Sequence, residues 1–121
     1  MIGIGDKLRA LDVIRWNMVP MGRKQNLAEH SFMVALIAEH IANELGVTTN
    51  APIAAGLYHD LEEVMTGDIP APTKRRLEEE CGIDFKTIFN RLGVDYRATP
   101  RLTAIVKCAD YIADIVYLTR Y

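Results

Sequence analysis

At 121 residues, half of them apolar and a quarter charged, the chain is sized for one domain with its own hydrophobic core. Its net charge of −2 argues against a dedicated binder of nucleic-acid polymers, whose affinity would come from neutralising phosphates, and no apolar run approaches the length of a membrane span. Met1-Ile2-Gly3-Ile4-Gly5 passes at once into Asp6-Lys7, unlike a secretory leader, and the two cysteines, without CxxC spacing, are expected as reduced thiols in a cytoplasmic protein.

No stretch alternates as a half-buried strand does, so the chain reads as all-α, a compact bundle of about five to six helices forming a single domain over 1–121. Asp6 can cap a first helix running to about Trp16, with Leu8, Leu11 and Ile14 or Arg15 along one side. Residues 17 to 25 form a loop, broken by Pro20 and Gly22 and carrying Arg23 and Lys24. Asn26-Leu27-Ala28-Glu29 has the form of a capping box, and the helix it opens should reach Leu45 and stop at Gly46. His30 shares a face with Val34, Ile37, Ile41 and Leu45, as either a core ring satisfied by one hydrogen bond or a ligand. His40, roughly 80° away, belongs to the surface.

The third helix begins near Asn50, with Pro52 in its first turn and Ile53, Leu57, Leu61 and Val64 as an apolar stripe. The side bearing His59 and Glu63 also carries Ala55 and Gly56, small residues that admit a close neighbour and make His59 interior. Thr66 to Pro72 is a loop that can overhang this helix with Asp68. A charged helix follows over Thr73 to Glu80, mostly a solvated face, and Asp84 caps a short one through Leu92, ended by Gly93. Thr99-Pro100 opens the last helix, whose core stripe is Leu102, Ile105, Ala109, Ile112 and Val116. Asp110 lies at the edge of that stripe, Asp114 reads as a half-exposed helix residue, and Cys108 as core packing.

His30, His59, Asp60 and Asp110 thus come from three helices, at core-facing or core-edge positions. Two imidazoles and two carboxylates suit one divalent ion among Mn²⁺, Co²⁺, Fe²⁺, Zn²⁺ and Mg²⁺. On an octahedral ion they leave two positions for water and a phosphate oxygen. Glu63, one turn from His59, is either a surface carboxylate or a general base or acid in reach of that water or of the leaving group.

The order His30, His59-Asp60, Asp110 resembles the signature of the HD-domain phosphohydrolases. With Arg15-Trp16, Asn26-Leu27-Ala28-Glu29-His30-Ser31, Tyr58-His59-Asp60-x-x-Glu63, Thr66-Gly67-Asp68-x-Pro70-x-Pro72-x-Lys74 and Lys107-x-Ala109-Asp110, it resembles the YfbR-like 5′-deoxynucleotidases. The resemblance implies an HD-domain helical bundle with one divalent metal on His30, His59, Asp60 and Asp110, and Glu63 in catalysis. It implies Arg15 and Lys74 at the substrate phosphate and Trp16 against the deoxyribose, leaving no space for a 2′-hydroxyl. Asp68 would lie near the reacting centre or the sugar, and Met18 and Pro72 would line the base pocket. The implied reaction takes a deoxyribonucleoside 5′-monophosphate to deoxynucleoside and phosphate, in a homo-oligomer of two or more chains. A deoxynucleoside triphosphate hydrolase of the dATP type is the alternative on the same site, with Arg23 and Lys24 available to a longer phosphate chain. A non-catalytic nucleotide-binding helical module is a remoter alternative, though it would be expected to have lost a ligand. Binuclear relatives need further histidines, and alarmone hydrolases carry a second acid where Val64 stands. Ending eleven residues beyond Asp110, the chain is expected to lack a C-terminal extension that members of the family carry.

Overall fold

Asn26 starts the helix on which the other elements are assembled. Its side chain accepts from the Glu29 backbone N–H at 2.8 Å and Glu29 accepts from the Asn26 N–H at 3.3 Å, the expected capping box. The Leu27 N–H, another donor that a helix start leaves free, is taken by the Val13 carbonyl at 2.8 Å. The computed structural model describes residues 2–16, 19–87 and 99–121. Within them run six helices: α1 (Ile4–Leu8), α2 (Leu27–Glu44), α3 (Asn50–Tyr58), α4 (Glu63–Thr66), α5 (Ala71–Cys81) and α6 (Pro100–Arg120). Among the described residues the only β-pairing is one antiparallel bridge, Ile14 to Asn26, so the all-α expectation holds. None of these helices is long and apolar enough to cross a membrane.

The core is built on small residues. α2 buries Leu27, His30, Ser31, Val34, Ala35, Ala38 and Ala42, and α3 meets it through Pro52, Ala55 and Gly56. A Cβ on Gly56 would lie 2.8 Å from the Ala35 Cα, so only glycine permits this approach. α6 closes the other side, packing Ile105, Ala109 and Ala113 against Val34 and Ala38. Its start is capped as expected, Thr99 accepting from the Leu102 N–H at 3.1 Å with Pro100 in the first turn.

Four expectations are corrected. The first helix stops at Leu8, followed by a 3-10 turn over Arg9–Leu11, because a helix of five residues that buries none of them has no packing to prolong it. The backbone after it pairs with the approach to α2, through Val13 to Leu27 and Arg15 to Gln25, and Val13 enters the core beside Leu27, Leu61 and Val64. The α2 stripe is rotated toward its alanines, leaving Leu45 51% exposed. The third helix does not run through to Val64, and Leu57 is exposed. It ends at Tyr58, where the Gly56 carbonyl accepts from the His59 ring, and i→i−3 bonds (Leu61 to Tyr58, Glu63 to Asp60) carry the chain into α4. On α6 the stripe is Leu102, Ile105, Ala109, Ala113 and Tyr117 in place of Ile112 and Val116, and Cys108 is exposed. That rotation turns Asp110 and Asp114 toward the interior.

α5 begins at Ala71, two residues early, with Pro72 in its first turn. Asp84 caps the next turn, accepting from the Thr87 N–H at 3.2 Å. The remainder of that expected helix, to Leu92 and Gly93, lies outside the described residues.

Candidate metal centre

α2 contributes His30, the turn after α3 contributes His59 and Asp60, and α6 contributes Asp110. One ligand atom from each lies within 4.8 Å of all the others. His30 Nε2 is 2.7 Å from Asp110 Oδ1, and His59 Nε2 is 3.4 Å from that oxygen and 3.1 Å from Asp60 Oδ2. Ligands about 2.0–2.2 Å from a shared cation stand roughly 3 Å from their neighbours, so the cluster has the dimensions of a coordination shell. The hydrogen bonding agrees. His59 Nδ1 donates to the Gly56 carbonyl at 2.8 Å, which leaves Nε2 as the nitrogen that faces the cluster. That Nε2 is buried and makes no hydrogen bond among the described residues. The four groups fit a single divalent cation.

The electrostatics describe a site built for positive charge. Burial opposes ionisation of Asp110, but the hydrogen bond with His30 and the His59 ring 3.4 Å away outweigh it and hold the carboxyl well below the usual carboxylate range. Asp60 is likewise held low, against its own burial, by His59. Burial also disfavours a charged His59, yet Asp60 and Asp110 raise its pKa well above the ordinary value. Glu63 differs: burial first, then the charges of Asp60 and Asp68, push its carboxyl up to about 9. Its Oε2 is buried with no hydrogen-bond partner among the described residues.

The flanking residues divide into those at the cluster and those apart from it. Arg15, 11% exposed, donates from Nη1 to Gln25 Oε1 at 2.7 Å and Asp114 Oδ1 at 3.1 Å. Its guanidinium lies 5.0 Å from the centre of the Trp16 ring, and Trp16 holds a left-handed backbone at φ 63°. Asp68 reaches the same corner, where its burial raises its pKa against the Arg15 charge and a Trp16 backbone hydrogen bond. Lys74 is instead engaged by Glu62 at 3.2 Å and sits over the Phe85 ring at 5.1 Å. Pro72 is exposed on the first turn of α5, and Met18 lies outside the described residues. Arg23 is paired with Glu29 at 2.6 Å on the rim.

The contacts of two acids in this region were not anticipated. Glu62 is only 5% exposed and holds Lys74. Asp114 is half-exposed as expected, but it also bonds Arg15 and lies 3.5 Å from His30 Nδ1. Its spacing was the available signal, since a residue four beyond Asp110 shares its side of a helix.

Residues 6–80 match the family described as 5′-deoxynucleotidase YfbR-like. Over 139 residues the chain is 34% identical to a dATP triphosphohydrolase of Acinetobacter phage SH-Ab 15497, covering 99% of this chain and 68% of that protein. Over 120 residues it is 30% identical to a 5′-deoxynucleotidase of Shewanella oneidensis, covering 79% and 62%. The chain therefore spans about two thirds of the length of these curated relatives. Among solved structures, the HD phosphohydrolase DatZ of cyanophage S-2L, bound to dA and one catalytic Zn²⁺ ion, is similar at a TM-score of 0.79 and 25% identity, over 98% of this chain and 71% of DatZ. By sequence match, fold and the His30, His59-Asp60, Asp110 cluster, the chain belongs to the YfbR-like 5′-deoxynucleotidase family of HD-domain phosphohydrolases.

Proposed function

We propose that the chain hydrolyses deoxyribonucleoside 5′-monophosphates to deoxynucleoside and phosphate, with His30, His59, Asp60 and Asp110 holding one divalent cation. The observation that carries this reading is the convergence of the four ligand atoms, with the Gly56 carbonyl freeing His59 Nε2 to face them. A cation held there supplies Lewis acidity toward the phosphate and lowers the pKa of water. Arg15, fixed by Gln25 and Asp114, turns its remaining N–H groups to the phosphate oxygens, and its buried, unpartnered Nε is a donor such an oxygen would satisfy. Lys74 adds positive charge from beside Glu62. Water attacks the phosphorus in line with the leaving group, and Glu63, whose carboxyl burial pushes up, gives its proton to the leaving 5′-oxygen and takes one from the attacking water. Trp16 packs against the deoxyribose and excludes a 2′-hydroxyl, and Asp68, in the same corner, orients the sugar. Met18 and Pro72 are assigned to the base pocket.

The similarity to a phage dATP triphosphohydrolase favours a second reading, release of triphosphate from dATP at the same site. Phosphate, pyrophosphate and triphosphate released from dAMP and dATP by the Co²⁺- or Mn²⁺-loaded protein separate the two. Phosphate from dAMP is expected, triphosphate from dATP would establish the second reading, and release of none from either overturns both. We expect the working form to be a homo-oligomer in the cytoplasm. Phe32 and Leu36 on α2, and Ile115 and Leu118 on α6, expose apolar side chains suited to such contacts.

A further inference from the structure

Asp114 touches both halves of the site. Its Oδ1 accepts from Arg15 Nη1 at 3.1 Å and lies 3.5 Å from His30 Nδ1. The His30 ring is fully buried, and its two nitrogens face two carboxylates of one helix: Nε2 donates to Asp110 at 2.7 Å and Nδ1 faces Asp114, so a cation at Nε2 requires that proton to move to Nδ1. A neutral imidazole carries one proton, so His30 offers a lone pair from Nε2 only when that proton rests on Nδ1. His30 Nδ1 makes no hydrogen bond among the described residues, and Asp114 is the carboxylate that faces it. An approach of 3.5 Å needs to shorten by about half an ångström to become a hydrogen bond, as polar contacts do when a site is filled.

The arginine side is held in two places. Gln25, 2% exposed, accepts the Arg15 backbone N–H with its own carbonyl and the Nη1 donor with its side chain, which fixes the root and one face of the guanidinium. Asp114 accepts from the same Nη1 on the side of α6. One carboxylate oxygen therefore stands between the group assigned to phosphate and a ring assigned to the cation.

We propose that Asp114 is a positioning residue that ties phosphate binding to cation binding, setting the proton of His30 on Nδ1 while it holds the Arg15 guanidinium. The inference rests on the roles given above to His30 and Arg15. It differs from a plain surface ion pair, which would steady Arg15 and leave the cation unaffected. Carboxylates of this kind behind a metal-bound histidine are typically worth about 10–100-fold in metal affinity.

The test is calorimetric titration of the full chain with Co²⁺, and of the Co²⁺-loaded protein with inorganic phosphate. Asp114→Ala is expected to weaken Co²⁺ by about 10–100-fold and phosphate as well. Asp114→Asn keeps an acceptor for the Nδ1–H without the charge, and should fall between Asp114→Ala and the unaltered protein. Arg15→Ala should weaken phosphate while leaving Co²⁺ affinity unchanged, which shows that the cation effect does not pass through the arginine. Co²⁺ affinity in Asp114→Ala equal to that of the unaltered protein overturns the proposal. If the alanine variant does not fold, equal affinity in Asp114→Asn overturns it in the same way. Failure of the underlying reading looks different: the unaltered chain takes up no Co²⁺, or Asp110→Ala keeps it, and the inference then falls too.

Discussion

At the scale of single residues, Glu63 carries the clearest consequence of burial. In the unfolded chain its carboxyl titrates near an ordinary value of about 4.3, and in the fold burial and the charges of Asp60 and Asp68 push it up to about 9. The folded protein thus binds the proton more tightly than the unfolded chain. The stability this gives is fully present below about pH 4.3 and is lost as pH rises toward the folded value. Glu63→Gln replaces the acid by a neutral group of the same shape, so the metal-free variant should outlast the unaltered protein at pH 8. We expect a higher Tm for the variant at pH 8, with the gap closing as pH is lowered to 5. Turnover should meanwhile fall by about 10²–10⁴, because the amide has no proton to give. Thermal melts in chelator at the two pH values check the first part, and a lower Tm at pH 8 would show an ionised, paired carboxylate instead.

Between elements, the governing contact is Gly56 against Ala35. It was legible that Ala55 and Gly56 admit a neighbour, and the structure identifies that neighbour as α2. Gly56→Ala places a methyl 2.8 Å from backbone that cannot yield. The two helices must separate, at about 1–3 kcal/mol, and His59 moves away from His30 as they do. We predict a lower Tm together with weaker Co²⁺ binding, and a variant that loses stability while keeping full cation affinity would mean the ligands adjust independently of the helices. The same close packing explains which expectations failed. Capping signals are local, so Asn26 with Glu29 and Thr99 with Pro100 could be read from neighbours in the chain. The buried face of a helix depends on what covers it. Periodicity on α2 favoured Ile37, Ile41 and Leu45, whereas the covering helices come closest over Ala35, Ala38 and Ala42. On α6 Ala113 displaced Ile112 for the same reason, and the importance of Asp114 followed from that rotation. The clustering of His30, His59, Asp60 and Asp110 was legible because their residue types and order carry the chemistry. The Lys74–Glu62 pair was not, because a side chain's partner across twelve residues is set by the turn between α4 and α5.

For the whole molecule, the ligands sit at positions 30, 59, 60 and 110, so only the folded chain brings them together. Cation binding and folding are therefore linked, and protons enter the same linkage through His59. Asp60 and Asp110 overcome the effect of burial and raise the pKa of that ring well above about 6.5, its value in the unfolded chain. In the metal-free protein a protonated His59 sits between two carboxylates and stabilises the fold fully below about pH 6.5, a contribution that disappears as pH rises through the folded pKa. A cation takes the place of that proton, and its own contribution grows as the proton leaves. At about 100 times Kd a ligand that binds only the native state adds about 2.7 kcal/mol. The Tm difference between Co²⁺-loaded and chelated protein should accordingly be small at pH 6 and several degrees larger at pH 8.5. It should vanish at both in Asp110→Ala, which removes a carboxylate within 3.4 Å of both rings. A difference that narrows with rising pH would mean that proton and cation do not compete for His59, and the ring would then have to be removed from the ligand set.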